Sequence, residues 1–339
     1  MVKYFARNVI FPITIWTGFE KQFSKHSKTK YLNLMYHGVV NRDSTDFFPR
    51  HITAEEFEKQ LVYFKNNFEI ISPHQAFENI LNYRETKKPC ISISFDDGYL
   101  NNKTVALPLL EKYQIPATFF ISSVCSRPAN DHIFWSDVVA FSRAFSKENW
   151  IEIKGIKFFK KKKYDLIDIK TGISAYSYLK KMKVTERDEA IIDLKTRYEI
   201  REKLELLPFE FWKLMDHQQL KKFSSHPLVN IGSHGHRHFN LGQIEPKDAL
   251  FEMQHSKNQL EKTIGKSVDY FAFPDGCYND NVLEIGRKIG YKGFFGVAPV
   301  NNQRPDDLLF RHGISATTTT SSNLFFVQKK FLTNTFEKF

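Results

Sequence analysis

Cysteine is scarce: Cys90, Cys125 and Cys277 are the only three in 339 residues, and they stand far apart. With no Cys-x-x-Cys spacing, neither a disulfide framework nor a thiolate zinc cluster is indicated, and the three read as small buried residues. Acidic residues are in deficit, since 38 Asp and Glu face 49 Lys and Arg, a formal net charge of +11. That excess favours anionic surroundings such as acidic glycans, phospholipid surfaces or nucleic acid without choosing among them. No nucleic-acid recognition motif accompanies it, so no nucleic-acid partner is expected. An apolar run long enough to span a bilayer is also missing. The candidate around Val9 to Phe19 follows Lys3 and Arg7, but Pro12 and Thr14 interrupt it and no small-residue cleavage site follows. A terminal helix packed on the domain is expected there, with peripheral membrane association as the alternative. The expected location is cytoplasmic or on the inner face of a membrane. Internal repeats and low-complexity segments are absent, and no protein partner is predicted.

What is present is enough for a large core: 42% hydrophobic and 15% aromatic residues can build one barrel-like domain or two smaller ones. Tyr31 to Val40 reads as a buried first strand carrying Tyr36-His37-Gly38. Thr53 with Glu56 forms a capping box, and Phe57, Leu61, Phe64 and Phe68 recur at helical spacing. A further helix starts at Ser72-Pro73. Cys90 to Phe95 is a β-branched strand that runs into Asp96-Asp97-Gly98-Tyr99, followed by a helix to Tyr113 and a strand at Ala117 to Ser122. Such a β-α-β unit lies in a barrel or an open sheet, with the chemistry at the C-terminal ends of its strands.

From about Arg127 to Met215 the pattern changes to a basic stretch, read as a long insertion on one face of the core. It carries a hairpin at Trp150 to Phe159, a lysine run at Lys160 to Lys163 read as a solvated face, and a helix from about Thr185 to Leu206. Alternation then resumes: a strand from Leu228 enters His234-Gly235-His236-Arg237-His238, a helix runs from Pro246 to Ile264, and a strand at Tyr270 to Phe273 enters Pro274-Asp275-Gly276. A helix at Val282 to Ile289 and strands at Phe294 to Val297 and Leu308 to Ile314 complete the series, which favours a barrel over a flat sheet.

One carboxylate and two imidazoles suit a catalytic divalent metal, which usually takes three protein ligands and keeps a position for water. Asp97, His234 and His238 supply that set. A metal there would lower the pKa of water and polarise an acyl carbonyl, and Asp96 could take the proton as general base. Neither Asp-Asp-Gly nor His-x-x-x-His is specific alone; their appearance at the ends of two strands of one β/α chain is.

These residues resemble the polysaccharide deacetylase family, also called carbohydrate esterase family 4. Ser94-Phe95-Asp96-Asp97-Gly98, with Tyr99 following, matches its first motif; His234 to His238 matches its second, with Gly235 where the family has Ser or Thr. Pro116 to Phe120 and Tyr36-His37-Gly38 are also similar. The resemblance implies an α/β fold, a distorted (β/α)7 barrel within residues 31–339, after an N-terminal extension at 1–30 and with the insertion at 127–215. It implies Asp96 as base, Asp97, His234 and His238 as ligands of a divalent metal, zinc by default, and Tyr99, His37 and Pro274 at the substrate. The implied activity is removal of acetyl groups, N-acetyl before O-acetyl, from an amino sugar, polysaccharide or lipid-linked glycan.

Two departures stand out. The family's Arg-x-Pro-Tyr/Phe motif appears as Ala272-Phe273-Pro274-Asp275-Gly276, without the arginine that orients the catalytic aspartate, as in a subgroup with Phe-Ala-x-Pro-x-Gly. The backbone N–H of Asp275 could still hold the oxyanion. The Leu-x-x-His motif is read at Leu309-Phe310-Arg311-His312, making His312 the general acid, with His37 as its rival. Two other functions stay open: a non-catalytic glycan-binding module, suggested by Ala272 and Asp275, and an amidase acting on a small amide. Trp135 and Trp212 read as core or lid packing with sugar stacking as the alternative, His236 as outside the ligand set, His217 and His255 as ordinary helix histidines, and Cys277 as packing.

Overall fold

The computed structural model describes residues 31–41, 50–81, 88–126, 132–161, 165–297, 305–314, 320, 323, 324, 326 and 327. The extension at 1–30, with its apolar stretch, and Lys162 and Lys163 of the lysine run lie outside the described residues. The strands are β1 (Tyr31–Tyr36), β2 (Gly38–Val40), β3 (His51–Thr53), β4 (Glu69–Ile70), β5 (Cys90–Phe95), β6 (Ala117–Ile121), β7 (Trp150–Ile153), β8 (Ile156–Lys160), β9 (Leu166–Ile167), β10 (Val229–Ser233), β11 (Tyr270–Ala272), β12 (Gly293–Gly296) and β13 (Leu308–Gly313).

Going round the ring, β1 pairs with β13, then β12, β11, β10, β6 and β5, and β5 returns to β1. All these pairings are parallel, so the sheet closes into the expected distorted (β/α)7 barrel. Closure needs crossovers, and the helices at Ala54–Asn67, Leu107–Tyr113, His217–Ser224, Pro246–Ile264 and Asp280–Ile289 lie between successive strands.

Strand alternation sorts the side chains. Ile91, Ile93 and Phe95 of β5 join the layer between sheet and helices with Phe57, Leu61 and Phe64. Cys90, on the opposite face, groups with Tyr31, Phe120, Ala272, Phe295 and Leu309 inside the ring. The interior also holds a polar chain: Ser94 Oγ donates to Asn33 Oδ1 at 2.7 Å and Asn33 Nδ2 donates to Ser92 Oγ at 2.7 Å. Phe77, from the helix Pro73–Leu81, stacks on Tyr270 at 5.6 Å where β11 begins and lies so close to Gly293 that a Cβ there would come within 2.6 Å of its ring. That end of the barrel is plugged, which leaves the C-terminal ends of the strands for the site.

Three local expectations are revised. The first strand divides at His37, because Gly38–Val40 turns aside to pair with β3. The helix expected from Thr185 to Leu206 breaks at Glu199, which adopts φ 50°, into Val184–Arg197 and Ile200–Leu204. The Thr53 cap is half a box: Thr53 Oγ1 accepts from Glu56 N at 3.3 Å, while the Glu56 carboxylate turns to Thr320 and Lys59.

Between β6 and β10 the chain packs a core of its own from Val138, Phe141, Ile151, Phe158, Leu179 and Leu194. It contains the helix Trp135–Phe145, the antiparallel sheet β7-β8-β9 with the expected hairpin at Gly155, and the helix Ala175–Lys181. This segment stands over the open end of the barrel, and residues from both of those helices face the cavity there.

Candidate active site

A cavity of about 390 Å3 opens at the C-terminal ends of the strands, and Asp96, His234, His238, Asp275 and Arg311 line it. Asp96 and Asp97 follow β5 directly, and Asp96 continues the inward parity of Ser92 and Ser94. Asp97 has φ 77° and Gly98 φ 95°, a turn that lets adjacent carboxylates diverge. His234 follows β10. Gly235, where the family has Ser or Thr, adopts φ 76° and His238 φ 58°, so the segment coils back instead of extending. Among the described residues, Asp97, His238 and Asp275 account for half of the six non-glycine residues with positive φ, a concentration of backbone strain at a working site.

The donor atoms of Asp97, His234 and His238 all lie within 4.8 Å of one another. His238 Nε2 is 3.4 Å and His234 Nε2 3.7 Å from Asp97 Oδ1. His234 Nδ1 is 2.8 Å from the carbonyl of Ala272, so Nδ1 carries the hydrogen and Nε2 presents its lone pair to the cluster. Asp97 Oδ1 is buried without a hydrogen-bond donor. Burial pushes the Asp97 carboxyl up to about 8, opposed by Arg50 and reinforced by Asp96, Asp137 and Asp275. Burial likewise drives His234 and His238 below the usual histidine range, which keeps both imidazoles neutral. An orphaned carboxylate oxygen facing two neutral imidazole nitrogens fits a divalent cation.

Arg311 supplies what the motif at Ala272 lacks. Its guanidinium, nearly fully buried in β13, forms an ion pair with Asp96 Oδ1. Asp96 Oδ2 remains on the side of His234, 3.7 Å from Nε2. The neighbouring His312 does not join them. It shares the parity of Leu308 and Phe310, which face the helix layer, and its ring lies 6.4 Å from Phe326. The expected general acid is therefore on the far side of the strand from the cavity, because one residue of register reverses the face.

Tyr99 is corrected too. It is fully buried, is not among the residues lining the cavity, and its hydroxyl donates to Asp137 Oδ2 at 2.6 Å. Asp137 also pairs with Arg50, whose guanidinium donates to Ser136 Oγ at 2.9 Å. Pro274 is buried behind the lining residues Asp275 and Gly276. His37 does line the cavity, and burial, helped by Arg50, holds its pKa well below the usual value. The Asp275 carboxylate is tied to Lys180 at 2.6 Å. Burial works upward on its pKa, but His238 and Lys180 outweigh it and the net shift is downward.

Comparison with known proteins identifies the family. The polysaccharide deacetylase family matches residues 83–143 and 175–294, more than half of the chain. The chain belongs to that family. The unmatched stretch between, 144–174, holds the β7-β8-β9 sheet. YxkH of Bacillus subtilis, provisionally assigned as a polysaccharide deacetylase, is 20% identical over 293 residues, 86% of this chain and 73% of its own. Among solved structures, the Streptococcus pyogenes deacetylase PplD, in complex with acetate, is similar with a TM-score of 0.56 at 17% identity, covering 88% of this chain and 97% of its own. IcaB from Ammonifex degensii is similar with a TM-score of 0.54 at 18% identity, covering 90% and 97%. The protein is thus a carbohydrate deacetylase on the family's barrel.

For this deacetylase, sequence reasoning missed Arg50, Asp137, Tyr176 and Lys180, all of which line the cavity. Only the charge of Asp137 on an otherwise apolar helix face could have drawn attention. Trp135 also lines the cavity, whereas Trp212 packs against the core of the segment between β6 and β10. His236 is buried, shares a hydrogen bond of 2.8 Å with Ser123 Oγ and meets the His255 ring edge-on at 4.3 Å between centroids. Cys277 is half-buried, and burial raises its thiol pKa, the wrong direction for a nucleophile. No helix among the described residues is long and apolar enough to cross a membrane.

Proposed function

We propose that the enzyme hydrolyses the acetamido group of an N-acetylated amino sugar in a glycan, using a divalent cation, zinc by default, held by Asp97, His234 and His238. The observation that carries this reading is the three converging donors beside a second carboxylate, Asp96, gripped by Arg311. Such a cation supplies Lewis acidity towards water and the acetyl carbonyl.

The protein's own groups do the rest. Arg311 occupies Asp96 Oδ1, so Oδ2 takes the proton as water attacks the acetyl carbon. The backbone N–H of Asp275 is the donor for the oxygen of the tetrahedral intermediate, and Lys180 balances the carboxylate that would otherwise oppose that charge. When the C–N bond breaks, the departing amine needs a proton. With His312 on the other face of β13 and His37 held neutral, the proton on Asp96 is the one at hand, so one carboxyl serves as base and then as acid. His37 can donate a ring N–H to position the leaving group. The Trp135 ring in the cavity wall offers an apolar face to a sugar.

Acetate release from N-acetylchitooligosaccharides tests the reading. Chelation should reduce it to background, zinc or cobalt should restore it, and Asp96→Asn should lower the rate by roughly 100-fold or more. Release of no acetate from any acetylated glycan, or an unchanged rate in Asp96→Asn, overturns it. Parallel O-acetylated substrates separate amide from ester hydrolysis.

A further inference from the structure

We propose that a second cavity beside the deacetylation site binds the negatively charged substituent of an acidic glycan, with Arg187 as its anchor. This rests on the reading above and names the class of substrate. The cavity, of about 280 Å3, lies between the helix Val184–Arg197 and the segment after β10, and Arg187, Asp188, Lys195, Arg237, Phe134 and Trp135 are among its walls. Trp135 is shared with the first cavity, and the Phe134 ring lies 5.3 Å from that of His238. A glycan crossing the indole would place one sugar's acetamido group in the first cavity and its neighbour's substituent in the second.

Arg187 is 3% exposed. Its guanidinium lies over the rings of Trp135 at 5.5 Å and Phe239 at 5.6 Å, contacts that favour the cation but accept none of its N–H bonds. Nε is buried without an acceptor, and among the described residues no carboxylate forms an ion pair with Arg187. The adjacent Asp188 also lines the cavity, and its charge offsets part of that of Arg187 without forming an ion pair with it. Arg237 across the cavity is already held by Glu252 at 2.7 Å. A buried guanidinium with an open N–H fork is costly unless an anion completes it, and the fork matches a carboxylate or phosphate. The walls carry three cationic side chains against one acid, so the local field favours that ligand.

Calorimetry on the full chain compares a neutral N-acetylchitotetraose with a tetrasaccharide alternating N-acetylglucosamine and glucuronic acid. A second arm compares N,N′-diacetylchitobiose with its 6-phosphate, separating uronate from phosphate as the source of charge. Wild-type protein should bind the charged partner of at least one pair about tenfold more tightly. Arg187→Gln should abolish that preference while leaving the neutral ligand's affinity within about twofold, and Arg187→Lys should keep part of it. Should Arg187→Gln not fold, the lysine variant and the loss of wild-type preference between about 50 and 500 mM salt make the same test. Equal affinities in both arms, or a preference that survives loss of the Arg187 charge, overturn the proposal. Acetate release is read separately, so an inactive protein that still prefers the acidic ligand counts against deacetylation and not against the subsite.

Discussion

Arg311 and Asp96, 215 residues apart in sequence, form a buried ion pair at the mouth of the barrel, with the guanidinium on one carboxylate oxygen only. An arginine from the last strand thus orients the aspartate that the third motif leaves unsupported. Arg311→Met should lower kcat/KM by about 100-fold or more, and Arg311→Lys should recover only part of it, since an ammonium lacks the planar fork. Divalent-metal content measured alongside should stay near that of the wild type, because Arg311 is not among the three converging donors. An unchanged kcat/KM would show that Asp96 needs no such partner.

Tyr99 offers a contrast, because its hydroxyl is spent on Asp137 inside the protein. Tyr99→Phe should cost about 2 kcal/mol of stability in urea unfolding, the usual worth of one buried hydrogen bond to a charged group. KM should move by less than about threefold. A large rise in KM without loss of stability would return Tyr99 to the substrate.

His312 faces the helix layer. His312→Gln should therefore keep the shape of the pH profile of kcat/KM, with activity within about threefold of wild type. Loss of the alkaline limb in that variant would identify His312 as the proton donor after all.

His51, fully buried against Tyr99 at 4.6 Å between ring centres, makes folding sensitive to acid. Burial, helped by the charge of Arg50, lowers its pKa from 6.5 to about 3. Between those values the unfolded chain binds a proton that the folded chain refuses, so stability falls as pH drops below about 6.5, by at most ~1.4 kcal/mol per pH unit for this group. Urea midpoints measured from pH 7 to 4.5 should decline, and His51→Gln should decline less steeply. Parallel slopes for the two proteins would contradict the assignment.

The local code of this chain was largely legible. The β-branched run in Cys90 to Phe95 announced a strand, the helix Pro246–Ile264 appeared with the bounds read from its spacing, and the acidic and histidine motifs fell at strand ends. Side-chain type and period suffice there, because each feature is decided within a few residues. Tertiary structure alone decided which member of Arg311-His312 faces the cavity, that Tyr99 turns inward to Asp137, and that the segment between β6 and β10 brings Trp135, Asp137 and Lys180 over the site. The reason is geometric: closing seven strands into a ring sets the register of each against partners far away in sequence, and a shift of one residue exchanges inside for outside.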